Sequence, residues 1–378
     1  MQFIKIKSKV CEYMNELIIN TDNLLYNLNK IIENVSKDNY TIIAVVKGNA
    51  YGLGIVELTN FLSKNGITFF AVASVQEAIT LRQAGINEKL MILTPFSDKD
   101  TVKLLIDNNI ILTIDSQNSA QIANEIAKKE NKEITAHIKI DTGLSRYGFN
   151  YLENDKTSQI IKKCDFINFE GIFSHFSNSL ASDSSWSNKQ FERFNKTIKN
   201  LEEKGIEFKL KHICNSSGFF KYPNMHLNAA RIGSAFSGYA SGPQSGLKKV
   251  SKFHTKITRI KELNKGDFIG YGNSYIVKKQ VKVAILPTGY FDGIGITLED
   301  QRFKFLSKLK KVFLDIKSLF KDNAIFLNIN GQKLKVLGQI GMHDVVIDIT
   351  GTNLKENDDV YFDVRPTFID TSIKRIYE

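Results

Sequence analysis

A (β/α)8 TIM barrel followed by a C-terminal all-β domain, an α/β protein overall, is predicted by two observations. Eight short β-rich runs alternate with helical patterns from residue 41 onward, and that rhythm stops near residue 245. The runs are TIIAVVK (41–47), ITFFAVAS (67–74), KLMILTP (89–95), NIILTID (109–115), ITAHIKID (134–141), INFEGIFSHF (167–176), FKLKHICNS (208–216) and MHLNAARIGS (225–234). Between them VQEAITLRQAG, NSAQIANEIAKKE and NKQFERFNKTIKNLEEKG place apolar residues at helical spacing and end near a Gly or Asn or in a basic turn.

After residue 245 come strand-like segments without crossover helices: KFHTKITRIKEL, VKVAILP, AIFLNING, LKVLGQIG and VVIDITG, punctuated by turns such as NKGD and KENDD. The expected division is a barrel over 12–245 and a β domain over 246–378 that also takes the N-terminal 1–11. One stretch breaks the pattern. LEDQRFKFLSKLKKVFLDIKSLFKD (298–322) has helical spacing and reads as an inserted amphipathic helix or helix pair, either packed on its own domain or offered to a partner.

The 378 residues exceed the usual single domain, and 42% hydrophobic with 24% charged residues is ordinary globular usage. Three cysteines, Cys11, Cys164 and Cys214, are too few and too scattered for a disulfide framework or a zinc site, so a reducing compartment and no metal are expected. MQFIKIKSK lacks the apolar core of a secretion signal, and no run approaches a membrane span of about 18 apolar residues. The expected location is cytoplasmic, without a membrane partner. A net charge of +11 raises nucleic acid, but the lysines are dispersed and no binding motif accompanies them, which favours a solvated basic surface.

Barrel active sites form at the C-terminal ends of the strands, which singles out Lys47, Lys139, Arg146, His175, Asn215, Ser216, Arg231 and Gly233. Lys47 follows an apolar strand and precedes a glycine-containing loop. Desolvation there would make its amine nucleophilic towards an aldehyde, whereas strand position alone favours a lysine snorkelling from a strand end. Ser216 and the amides near Gly233 and Ser234 follow strands seven and eight, the usual phosphate site of this fold. An aldehyde trap and a phosphate cup on one face together suggest pyridoxal 5'-phosphate (PLP).

AVVKGNAYGLG, KIDTGLSRYG, GIFSHF, CNSSG, ARIGSAFSG, GYGNSY and LPTGYFDG occur in that order from about residue 44 to 293. This ordered set resembles the alanine racemase family, homodimeric PLP enzymes with a barrel and a β domain. The resemblance implies that Lys47 carries PLP as a Schiff base and that Tyr51, Ser216, Gly233, Ser234 and the late Tyr377 bind its phosphate. It implies Arg231 at the pyridine nitrogen, where a guanidinium keeps that nitrogen neutral and weakens the electron sink. A structural salt bridge is the plainer reading of Arg231. Arg146 would meet the cofactor's phenolic oxygen and the substrate carboxylate with a planar fork of donors. Lys139 matches a lysine that many members carry as a carbamate, the plainer readings being an unmodified lysine or a site using a bound anion.

Racemisation needs a base on one face of the α-carbon and an acid on the other. By resemblance Lys47 serves one face and Tyr271 of the partner subunit the other, with His175 and Arg231 beneath in a hydrogen-bond chain. Tyr290 and Met342 match residues lining the substrate approach across the dimer. Departures stand at Leu53, Gly341 and His343, where the family usually has His, Cys and Asp, and they bear on substrate preference. The implied reaction interconverts L- and D-alanine. Racemisation of serine or a broader amino-acid range, and a fold-related PLP decarboxylase, are the rival readings, with a non-catalytic PLP-binding protein behind them. GYGNSY, GYFDG and the β domain favour the racemase.

Overall fold

The computed structural model describes residues 15–35, 39–239, 246–296 and 325–378. The chain forms two compact units, one of residues 20–250 and the other of residues 251–378 with the segment ending at Ile19. The expected insert at 298–322 and the N-terminal 1–11 lie outside the described residues.

The first unit is the barrel. Its strands are β2 (Thr41–Val45), β3 (Phe69–Val72), β4 (Lys89–Ile92), β5 (Leu112–Ile114), β6 (Ile134–Asp141), β8 (Ile167–Phe173), β9 (Leu210–His212) and β10 (Ala229–Ile232), with a short β7 (Phe149–Asn150) beside β6. Neighbours pair in parallel in the order β4-β3-β2-β10-β9-β8-β6-β5. A bridge between Met91 and Ile111 joins the two ends and closes the ring. Parallel strands covered on both faces are mainly apolar, which is why most read as continuous runs rather than alternations. Ile43, Val45, Phe69, Met91, Phe173 and Leu210 pack as one buried cluster. Burying each large side chain contributes about 1.5–3 kcal/mol.

The crossover helices are α1 (Thr21–Glu33), α2 (Lys47–Tyr51), α3 (Ile55–Lys64), α4 (Val75–Gln83), α5 (Lys99–Asp107), α6 (Gln117–Lys129), α7 (Asn154–Lys162), α8 (Ser185–Glu202) and α9 (Ser216–Lys221). Sequence signals set their ends. Ser74 and Glu77 form a reciprocal capping box on α4, satisfying amides that the first turn leaves free. On α8, Phe194, Ile198 and Leu201 fall on the buried side at spacings of four and three. Phe194→Ala is the single change that most damages this contact, at about 3–5 kcal/mol.

The second unit begins earlier than expected. β1 (Glu16–Ile19) pairs antiparallel with β11 (Ser251–Lys256) and parallel with β20 (Lys374–Tyr377), so residues 16–19 leave the anticipated barrel range and join the β unit. Its alternating pattern buries Leu17 and Ile19 completely, which is the physical reason for the reassignment. The main sheet runs β17 (Gln332–Lys335), β16 (Phe326–Ile329), β19 (Asp359–Asp363), β11, β1, β20. A second sheet holds β12 (Arg259–Leu263), β15 (Val281–Leu286) and β18 (Val345–Asp348), and β13 (Phe268–Ile269) with β14 (Tyr275–Ile276) form a hairpin. No helix among the described residues is long and apolar enough to cross a membrane.

Candidate active site

A cavity of about 390 Å³ opens at the C-terminal ends of the barrel strands, lined by Lys47, Tyr51, Lys139, Arg146, His175, Ser216, Arg231, Gly233 and Ser234. The barrel thus brings together every site residue that the sequence placed on it. Among the described residues no group of three or more His, Cys, Asp or Glu side chains could hold a metal ion.

The geometry around Lys47 departs from expectation. β2 stops at Val45, and Lys47 opens α2 instead of closing the strand. From Gly48 to Tyr51 this turn is left-handed, with φ of 63°, 50°, 55° and 55°. Gly48 adopts that conformation freely and Asn49 tolerates it, but Ala50 and Tyr51 pay about 1–2 kcal/mol each. The turn is held from outside: the Gly48 amide donates to Glu77 Oε1 at 2.5 Å, and Asn49 Oδ1 accepts from the Ile55 amide at 2.8 Å. One turn of this hand puts the Lys47 amine and the Tyr51 phenol into the same cavity.

At the far wall, Gly233 follows β10. A Cβ there would lie 2.4 Å from the Tyr51 ring, so only glycine lets the ring lie against this backbone. Ser216 Oγ accepts from the Gly233 amide at 2.9 Å and the Ala235 amide at 3.4 Å. Two hydroxyls and converging amides against a bare backbone form a donor set that fits a phosphate. Burial raises the Tyr51 pKa, keeping the phenol a donor.

Arg231, on β10, is 3% exposed. Its guanidinium donates to His212 Nδ1 at 2.6 Å, His175 Nδ1 at 2.9 Å and the Ser174 carbonyl at 2.6 Å. No carboxylate pairs with it among the described residues, so the salt-bridge reading fails and imidazoles take that place. Burial pushes its pKa down to about 10, leaving it charged near neutrality. Burial first, then Arg231, drives His175 and His212 well below the ordinary imidazole value, so both rings are neutral.

Arg146 comes from the loop after β6, where Asp141 Oδ1 accepts the amides of Gly143, Leu144 and Ser145 at 2.9, 3.0 and 3.1 Å. Lys139, on β6, is 4% exposed with its ammonium 4.7 Å from the centre of the Phe173 ring. Burial, then Arg231 and Arg146, push its pKa down to about 7. The same sequence of causes, with Arg146 ahead of Arg231, lowers Lys47. Lys47, Lys139, Arg146 and Arg231 therefore share one cavity, and none has a carboxylate at ion-pair distance among the described residues. Such a wall calls for anionic groups on its ligand.

The remaining predicted residues sit in the β unit. Tyr271 is 79% exposed, Tyr290 48% and Met342 49%. Their loops are tied together: the Tyr290 amide donates to the Gly341 carbonyl at 3.0 Å, and the Gln339 amide to Ser274 Oγ at 3.1 Å. Gly289 packs directly on Gly341 and Met342, a contact that any Cβ would break. At the departures from the family pattern, Gly341 leaves room for the Asp344 carboxylate and His343 packs edge-on against Phe291. Tyr377 is half-buried at the end of β20, opposite Ile19.

Comparison with known proteins gives two family matches, to the alanine racemase N-terminal domain over residues 19–241 and to its C-terminal domain over residues 250–366. The chain belongs to the alanine racemase family. It is an isomerase by that membership. An alanine racemase of Clostridium tetani is 37% identical over 297 residues, covering 77% of this chain and 76% of that protein. The solved alanine racemase of Clostridium difficile 630 matches with a TM-score of 0.84 at 27% identity, over 97% of this chain and 96% of that one. The Bartonella henselae alanine racemase, solved with covalently bound pyridoxal phosphate, shares the fold at 24% identity and a TM-score of 0.80, over 97% of this chain and 99% of that one.

Within this alanine racemase fold the sequence reading overlooked His212 and His137, both fully buried. A signal was present. Imidazoles at 137, 175 and 212 stand in or just past three barrel strands, in otherwise apolar runs.

Proposed function

We propose that this chain interconverts L- and D-alanine by a two-base mechanism with PLP, acting as a homodimer in which Lys47 of one protomer faces Tyr271 of the partner subunit. One observation carries the reading. A single cavity joins a desolvated lysine, a phosphate-type donor set and three further cations without a carboxylate counterpart among the described residues. That inventory suits a ligand bearing an aldehyde, a phosphate and an amino-acid carboxylate.

PLP, when bound, supplies an electron sink that makes the substrate α-proton removable. Lys47 would hold it through Nζ, and its lowered pKa favours a neutral amine able to take or return a proton on one face. Ser216, Tyr51 and the amides at Gly233 and Ser234 would grip the phosphate, with Tyr377 as a further donor. Arg231, a donor only, would face the pyridine nitrogen and withhold a proton from it. Arg146 would orient the substrate carboxylate with its fork. The Tyr271 phenol stands on an exposed loop, free to enter a second protomer and serve the opposite face. Lys139, neutral in part near pH 7, has the free amine that carbamate formation needs. A carbamate there would set a negative charge between Arg146 and Arg231.

The test is direct. The purified protein should absorb visible light from its cofactor, and borohydride should fix that cofactor to Lys47, located by peptide mass mapping. A colourless protein without label at Lys47 overturns the proposal. Chiral analysis across a panel of L-amino acids then names the substrate, alanine being expected to turn over fastest.

A further inference from the structure

Below Arg231 the barrel interior is not simply apolar. His212 Nε2 lies 2.9 Å from His137 Nδ1, and His137 Nε2 points at Glu170 Oε2 across 3.8 Å. Glu170 Oε1 meets the Lys89 ammonium at 2.5 Å, and Lys209 stands 3.9 Å away, at the lower mouth of the barrel. A line of polar groups thus runs from the cavity floor through the core to the opposite end.

Its direction follows from chemistry. A guanidinium can only donate, so His212 Nδ1 must accept and the neutral ring carries its proton on Nε2. That proton is donated to His137 Nδ1, which leaves the His137 proton on Nε2, aimed at the one group in the line that can only accept. Burial lowers the His137 pKa and keeps the ring neutral, whereas the facing His137 ring, with Lys89 beside it, holds the Glu170 carboxyl at about 2. Every proton points from the arginine to the carboxylate.

Two independent features show that His137 is seated for this purpose. The β6–β8 register shifts between Ala136 and His137. Opposite, Gly171 leaves the space the ring occupies, since a Cβ there would lie 2.6 Å from two ring atoms. Neither His137 Nε2 nor Glu170 Oε2 has a hydrogen-bond partner among the described residues, and the two face each other across 3.8 Å. A leucine would fill the same core without a register shift, a glycine or a half-buried carboxylate.

We propose that His137 and Glu170 are positioning residues for Arg231, completing a one-way line of polar groups, hydrogen-bonded as far as His137 and ended by the facing carboxylate, that fixes the plane of the guanidinium from the far end of the barrel. The carboxylate polarises His137, His137 polarises His212, and each imidazole becomes a stronger acceptor for the donor above it. What Arg231 then does to the cofactor rests on the function proposed above; how Arg231 is held does not.

The experiment is nitrogen-15 NMR of the histidine-labelled holoenzyme. In the wild type, His212 and His137 should both be Nε2–H tautomers. Glu170→Leu and His137→Leu should each shift the His212 Nδ1 resonance towards that of an unbonded acceptor. Glu170→Gln, whose amide oxygen still accepts, should return it towards the wild-type position. Should Glu170→Leu fail to fold, Gly171→Ala, which presses the His137 ring aside, should shift His212 in the same direction. A His212 resonance unmoved by these variants, or an Nδ1–H tautomer in the wild type, overturns the proposal. Borohydride labelling of Lys47 is read on the same samples: its absence there overturns the proposed function and leaves the ring nitrogens to decide the chain.

Discussion

The barrel cavity and the loop face of the β unit hold the two groups of residues proposed for catalysis, and they are built in opposite ways. In the barrel, Lys139 and Arg231 are 4% and 3% exposed, and burial, with repulsion from neighbouring guanidinium groups, lowers both from their ordinary pKa values. On the β unit, Tyr271, Tyr290 and Met342 stand in solvent on loops fastened to one another by hydrogen bonds of the backbone amides of Tyr290, Phe291 and Gln339. The first region is tuned by what its own unit packs around it. The second has geometry but no enclosure, and large aromatic groups held out from a rigid loop cluster are suited to entering another surface.

The sharpest way to break this contrast is Lys47→Ala. If the barrel half supplies both anchor and base, racemisation measured by chiral chromatography should fall by more than about 10⁴-fold in both directions. Retained activity would remove Lys47 from the site. Next comes Tyr271→Phe, expected to slow racemisation by about 10²–10⁴-fold. Both directions must suffer alike because the equilibrium between enantiomers is fixed, but exchange of the α-hydrogen with deuterated solvent on the Lys47 face should persist. Loss of that exchange as well would show that the exposed tyrosine works on the barrel half rather than opposite it.

Smaller effects sharpen the barrel half. Ser216→Ala removes one donor to a charged group and should weaken PLP retention by about tenfold, read by equilibrium dialysis. For Lys139 the expectation is a pH dependence. Folded, it loses its proton near 7; unfolded, near 10.5, so between those values the unfolded chain binds more protons and stability rises with pH. Lys139→Met should flatten that part of the urea-denaturation profile in buffer free of carbon dioxide. With labelled carbon dioxide, wild-type protein should give a carbamate carbon signal that Lys139→Met lacks.

Much of the barrel was legible because buried parallel strands are written as apolar runs, and all eight runs contain a strand. Their ends were over-read where apolar residues continue into turns: TIIAVVK yields a strand only to Val45. Four-residue β1 escaped because its partners, β11 and β20, lie more than two hundred residues away in the chain. That Lys47, Ser216 and Arg231 line one cavity was legible because this fold gathers the C-terminal ends of its strands on one face. The left-handed turn could not. Gly48 and Asn49 permit it, but Ala50 and Tyr51 adopt it only because Glu77, fixed by its own capping box, holds Gly48 in place. His137 and His212 were hidden for a related reason: alternation says that a side chain faces inward, not that an arginine waits there to set its tautomer.

That left-handed turn has a consequence for chirality itself. Gly48–Tyr51 is a stretch of L-polypeptide coiled with the hand natural to its mirror image. The steric penalty at Ala50 arises from the side on which its methyl group stands, so a D-alanine installed at position 50 by chemical ligation should relieve it and raise stability by about 1–2 kcal/mol. In this chain the backbone beside Lys47 is a place where the D-form of alanine is the better-fitting building block.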